Sequence, residues 1–116
     1  MTVEHRQIIF SRQEMLHAIV NFDAAMHVLP DGTIVDANVV AHDGGVTVAV
    51  RISPNGDDAP SEVTLPPATA CSALIAYCGI EGIPLPRKAS KRLTRSGDGL
   101  ALQLELNTAG TPYLLT

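Results

Sequence analysis

The chain has 116 residues, which is enough for one domain with its own hydrophobic core. Apolar residues make up 46% of it and charged residues only 17%, where a soluble domain usually carries about a quarter. This composition excludes a largely disordered chain, and the net charge of −4 argues against a basic nucleic-acid-binding domain.

The first half of the sequence predicts a strand, a helix and a hairpin. A short apolar run precedes Ser11, which forms the S-x-x-E capping box with Glu14. Apolar residues then recur at helical spacing, at Met15, Ala18, Ile19, Phe22 and Met26. This spacing predicts a helix over 12–28. After a turn at LPDG, alternating valines predict a hairpin around 43–45.

The second half repeats this order of elements. A short strand is predicted at 61–65, and Pro66-Pro67 suits the start of a helix that ends at Gly82. A hairpin around 97–99 follows, with four leucines alternating after it. A shift of about 55 residues lays one half over the other. We therefore predict two pseudo-repeats, 5–54 and 60–107, joined by an acidic linker at 55–61.

The predicted fold is a single α+β domain over 1–116, with an antiparallel or mixed sheet and both helices on one face. An alternative treats 61–65 as a loop and leaves one ferredoxin-like β-α-β-β-α-β unit. The helix side chains expected in the core are Leu16, Ile19, Phe22, Leu74, Ile75 and Cys78. Both kinds of fold host many unrelated activities, so neither determines the function.

Five of the eight basic residues fall in one short stretch, and they are the candidate anion-binding set: Arg87, Lys88, Lys91, Arg92 and Arg95. A helix over 87–96 would place four of these charges on one face. A strand would divide them between two faces, with Lys91 and Arg95 leaning inward as guards of a sheet edge.

Correspondence with 32–41 favours the strand. On this interpretation, replacing Lys91 and Arg95 raises aggregation and leaves ligand affinity unchanged.

Other reactive residue types form no set that supports catalysis. The four histidines are scattered, and Asp23 and His27 lack the further ligands that a metal site needs. Cys71 and Cys78 fit core positions, although Cys71 lies near a helix start, where thiols can become reactive. We therefore predict no catalytic residues, no metal site and no cofactor.

The sequence also bears on location. The opening segment MTVEHRQIIFS lacks the pattern of a secretory signal, and the most apolar stretch, 68–80, is shorter than the ~20 residues of a membrane helix. Cys71 and Cys78 lie seven positions apart on the predicted helix, a separation of about 10 Å that prevents a disulfide. A cytoplasmic protein that does not enter a membrane is expected.

These features lead to two hypotheses of function. The first is a non-enzymatic binding or regulatory domain that acts through protein contacts. A homodimer is expected, because the low charge content leaves apolar surface that a second chain would cover. A further protein partner of unknown identity is also expected. The alternative is a module that binds an anion, a nucleotide or a nucleic acid through 87–95. Nucleic acid is disfavoured because the domain is acidic and has only four aromatic residues.

Overall fold

The computed structural model describes residues 3–43, 45–54, 59–86 and 88–107. Strand, helix, strand and strand follow one another twice, which confirms the α+β class. The elements in chain order are β1 (Val3–Phe10), α1 (Arg12–Met26), β2 (Thr33–His42), β3 (Gly45–Ser53), β4 (Ser61–Leu65), α2 (Pro67–Glu81), β5 (Ser90–Ser96) and β6 (Gly99–Asn107).

The two helices have the same length, 15 residues, but different ends. The predicted capping box starts α1: the Ser11 hydroxyl accepts from the Glu14 amide at 3.1 Å, and the Glu14 carboxylate accepts from the Ser11 amide at 3.0 Å. The helix stops at Met26, two residues before the predicted end, because His27 adopts a left-handed conformation with φ of 53°. Gly82 ends α2 with φ of 72°, which glycine adopts without strain.

The six strands divide between two three-stranded antiparallel sheets, ordered β1-β6-β5 and β2-β3-β4. Residues 61–65 form a strand that pairs with β3, so the ferredoxin-like alternative is wrong. The helices contact each other, and each helix also contacts strands of both sheets. One continuous hydrophobic cluster joins the two sheets and the two helices.

Each hairpin receives its third strand from the other half of the chain. β1 pairs with β6 over its whole length, from Val3 opposite Asn107 to Phe10 opposite Leu100. In the same way β4 pairs with β3 of the first half. A side chain at Gly99 would collide with the carbonyl oxygen of Phe10, so the close approach of these strands requires glycine there. Each sheet is therefore complete only when both halves are present.

The predicted helix core is confirmed for three of its six residues, and the other three are partly buried. Ile19, Leu74 and Cys78 are buried, and Leu16 and Ile75 are partly buried against the same cluster. Phe22 is only partly buried.

Phe22 differs in burial from the aromatic residue at the matching position of α2. Tyr77 occupies the position in α2 that matches Phe22 and is buried, with the Phe10 ring 6.1 Å away in an edge-on contact. The residue that matches Phe10 in the second half is the smaller Leu65.

Matching positions in the two halves can be assigned from the structure. The residues that cap the helices, Ser11 with Pro66 and His27 with Gly82, are 55 positions apart. Both hairpins have the same register, shifted by 54 positions, so that Asp36 matches Ser90. Duplication of an ancestral unit stays a prediction. Of the predicted linker, 55–58 lies outside the described residues, and Ser61 already belongs to β4.

Candidate functional site

The candidate basic residues lie around β5, an edge strand of its sheet. The strand interpretation is thus confirmed for 90–96. Lys91, Arg92 and Arg95 are in the strand, whereas Lys88 precedes it and is exposed. Arg87 lies outside the described residues. The candidate set therefore does not form one cationic face.

Lys91 and Arg95 share a face of β5 but differ in their surroundings. The Lys91 side chain is partly buried, and its Nζ donates to the carbonyl oxygen of Ala89 at 3.2 Å. Arg95 is exposed at the other end of the strand, where its Nε donates to the carbonyl oxygen of Gly97 at 3.1 Å. Alternation along the strand places both residues on one face, and it does not show that their surroundings differ.

A cleft of about 400 Å³ lies between β5, the start of α2 and the turn that precedes β3. Lys91 and Arg92, neighbours in β5, both line this cleft, and Arg92 also lines a cleft of about 460 Å³ with His5, Ser90 and Glu105. The residues that line the cleft at the start of α2 include Asp43, Pro67, Ala68, Cys71, Lys91 and Arg92. We call this the α2 cleft.

A matching cleft of about 500 Å³ lies at the start of α1 and includes Arg12 and Asp36. We call this the α1 cleft. Arg12 forms an ion pair with Asp36, and its Nε donates to the carbonyl oxygen of Ala37 at 3.2 Å. The capping box satisfies the helix start beside them. Arg12 and Asp36 of the α1 cleft are therefore paired with each other, and Asp98 also lines this cleft.

The α2 cleft lacks each of these internal partners. Pro67 stands where α1 has Arg12, and Ser90 stands where β2 has Asp36. Pro66 gives α2 no side-chain cap. Among the described residues there are two ion pairs, His5 with Glu105 and Arg12 with Asp36, so neither Lys91 nor Arg92 is paired there with a carboxylate.

The two thiols are free, and neither has the environment of a reactive cysteine. Burial raises the pKa of Cys78. Burial also raises the pKa of Cys71, and the nearby positive charge of Lys91 opposes that shift without cancelling it. Both thiols therefore stay protonated near neutral pH, and the neutral form is the poorer nucleophile.

Asp23 and His27 do not form a metal site. The Asp23 carboxylate accepts from the Leu29 amide at 2.8 Å, and the His27 amide donates to the Asp23 carbonyl oxygen at 2.8 Å. Both residues thus complete the end of α1. Among residues 3–43, 45–54, 59–86 and 88–107, no three His, Cys, Asp or Glu side chains lie close enough together to hold a metal ion.

The solvent-facing side of α2 carries no charge from Pro67 to Ile80. Its exposed residues are Ala68, Ser72, Ala76, Gly79 and Ile80, and Ile80 is 65% exposed. The corresponding side of α1 includes Gln13, Glu14, His17 and Asn21. The two helices therefore present different surfaces to solvent.

Comparison of the chain with protein-family models, curated proteins and solved structures finds no match. Within the described part of the chain, neither helix has the length and apolar content needed to cross a membrane.

Proposed function

We propose that the protein is a non-enzymatic binding or regulatory domain that acts through protein contacts, with the exposed side of α2 as the centre of a homodimer interface. The observation that carries this proposal is that the exposed side of α2 is uncharged from Pro67 to Ile80, with Glu81 as the first charge at its end. Two copies of a charged helix face repel each other, whereas two copies of this face do not. The small residues Ala68, Ser72, Ala76 and Gly79 let two helices approach closely, and Ile80 adds apolar area at the end.

The size of the helix sets the expected strength of the dimer. A helix of 15 residues is about 22 Å long, and one face of it is smaller than the roughly 800 Å² that each partner buries in a stable interface. Residues beside α2 must therefore contribute, and a dimer of micromolar affinity about a twofold axis is expected. A cytoplasmic location is part of this proposal, because both cysteines are free thiols.

Sedimentation velocity over a range of protein concentrations tests the proposal. The wild-type chain should show a monomer–dimer equilibrium in the micromolar range. Ala76→Glu, in the middle of the exposed side, should shift the equilibrium to monomer because it places two carboxylates in one interface. A wild-type chain that stays monomeric over this range contradicts the proposal.

Asn21→Glu is the matched control for this experiment. Asn21 is exposed on α1 at the position that matches Ala76, so the change adds the same charge to the other helix. It should leave the monomer–dimer equilibrium unchanged. Dissociation by both variants to the same degree would indicate an effect of net charge, and the α2 interface would then be wrong.

A further inference from the structure

We propose that the α2 cleft binds a compact anion, of the class of a phosphate monoester, between Lys91, Arg92 and the first turn of α2. The cleft has a volume of about 400 Å³ and brings together charges from β5 with the backbone of a helix start. This site is separate from the exposed side of α2 that we propose for self-association. It requires no dimer.

The two cations are the main reason for this assignment. Lys91 and Arg92 line the cleft, and neither is in an ion pair within the described part of the chain. Arginine and lysine side chains bind phosphate oxygens through charge-assisted hydrogen bonds. Lys91 already donates to the carbonyl oxygens of Ala89 at 3.2 Å and Pro86 at 3.5 Å, but an ammonium group has three donors, so it retains one for an anion.

The start of α2 adds backbone donors to the same cleft. Pro66 and Pro67 have no N–H, and the Ala70 amide donates to the Pro66 carbonyl oxygen at 3.1 Å. The amides of Ala68 and Thr69 thus have no acceptor within the helix, and no side chain caps them. An anion beside these amides would also meet the positive end of the helix dipole.

The α1 cleft shows how this fold closes such a position when no ligand is needed. There Asp36 supplies a carboxylate to Arg12, and Ser11 caps the helix. At the matching positions of the second half, Ser90 and Pro66 supply neither group. An external anion would supply the acceptor oxygens that Asp36 and Ser11 supply in the first half.

Two other groups in the cleft limit what can bind. Asp43 lines the cleft with a negative charge, so an anion must lie on the β5 side of it. Cys71 is protonated at neutral pH because burial raises its pKa, and it does not compete for the two cations. The residues that line the cleft include no aromatic ring on which a nucleobase could stack. A compact anion therefore fits better than a nucleic acid.

An NMR titration of the ¹⁵N-labelled full chain with inorganic pyrophosphate, in chloride buffer, tests the site. We expect saturable shifts at the amides of Ala68, Thr69, Lys91 and Arg92. The Lys91→Gln/Arg92→Gln variant should bind at least about tenfold more weakly, because it loses two charge-assisted contacts. Asp43→Asn should bind more tightly, because a repelling charge is removed. Thermal unfolding of each variant confirms that it is folded.

Arg95→Gln is the matched control, since it removes a charge from the same strand away from the cleft. Its affinity for pyrophosphate should stay within about twofold of wild type, as expected for an exposed charge that does not contact the anion. An equal loss of affinity in Arg95→Gln, or the absence of saturation in the wild type, overturns the site. Stronger binding of a short single-stranded RNA that depends equally on Lys88 and Arg95 also overturns it.

The strand interpretation predicts that replacing both Lys91 and Arg95 leaves ligand affinity unchanged, whereas the proposed site predicts weaker binding when Lys91 is replaced. It is also distinguishable from the homodimer. Ala76→Glu should bind pyrophosphate like the wild type even when it is monomeric.

Discussion

The two halves of the molecule have the same order of elements but begin their helices differently. At α1, Ser11 and Glu14 cap the helix and Arg12 pairs with Asp36. At α2, two prolines precede a helix start without a side-chain cap, and two cations lie beside it. The cation of the α1 cleft therefore has a carboxylate partner, whereas among the described residues those of the α2 cleft have none.

This difference teaches where function can enter a pseudo-symmetric fold. The core positions of both halves are filled by apolar residues, and their packing differs at the aromatic positions, where Phe22 is partly buried and Tyr77 is buried. Polar groups that find no partner within the fold mark the half that is available for a ligand. Four pairs of variants break or sharpen this comparison, from the largest expected effect to the smallest.

The largest effect is expected from truncation of Phe10, compared with truncation of Phe22. Phe10 is 1% exposed, so Phe10→Ala should lower the free energy of unfolding by about 3–5 kcal/mol, the usual range for truncation of a buried Phe. Phe22→Ala should cost less, about 1–2 kcal/mol, because Phe22 is only partly buried. Urea unfolding measures both values. Equal losses in the two variants would contradict the unequal burial of Phe10 and Phe22.

The next effect concerns the clefts themselves. The double variant Pro67→Arg/Ser90→Asp transfers the ion pair of the α1 cleft to the matching positions of the second half, Pro67 in the α2 cleft and Ser90 next to Lys91 in β5. It should weaken pyrophosphate binding about tenfold, or 1.4 kcal/mol, because an internal carboxylate competes with the anion. Pro67→Arg alone should strengthen binding, since it adds a cation. NMR titration measures both, and an unchanged affinity in the double variant would separate the two clefts in function.

A smaller effect is expected from the cap that only α1 has. Ser11→Ala removes the hydroxyl that accepts from the Glu14 amide, and it should lower the free energy of unfolding by about 1 kcal/mol. Ser72→Ala in α2 is the control, because Ser72 is exposed within the helix and alanine favours helix formation. Urea unfolding should show a loss for Ser11→Ala and none for Ser72→Ala. A similar loss in both would mean that the capping box does not stabilise α1.

The smallest effect is expected at the other end of the helices. His27 ends α1 in the left-handed conformation, where α2 has Gly82. His27→Gly should therefore raise the free energy of unfolding by about 0.5–1 kcal/mol, because glycine adopts this conformation without a steric penalty. Gly82→Ala should have the opposite sign. Thermal unfolding measures both, and destabilisation by His27→Gly would show that the imidazole makes stabilising contacts of its own.

Much of the fold could be predicted from local patterns. The capping box at Ser11 and the proline at 67 mark both helix starts, and Gly82 marks one helix end. Period-2 alternation gave both hairpins and the strand at 61–65. Charged residues beside Ala89 and Leu93 correctly indicated an edge strand. These features depend on residues that are close together in the sequence.

The rest depends on contacts between distant residues. Alternation shows which face of a strand is buried but does not identify its neighbour, so the exchange of β1 and β4 between the halves could not be predicted. The α2 cleft joins a turn near residue 43, a helix start at 67 and a strand at 91. Its residues are unremarkable in their local sequence. The one signal was Pro66-Pro67, which excludes a side-chain cap.

The exchange of strands also determines how the chain can fold while it is being synthesised. β4 follows its partner closely, since Leu65 pairs with Val48. β1 is synthesised long before its partner strand, because Phe10 pairs with Leu100, which is made 90 positions later. At about 5–20 residues per second, the ribosome needs roughly 5–18 seconds to supply that partner. During this interval the nascent chain exposes Ile8 and Phe10 on an unpaired strand, so binding by a chaperone would have its greatest value before β6 emerges.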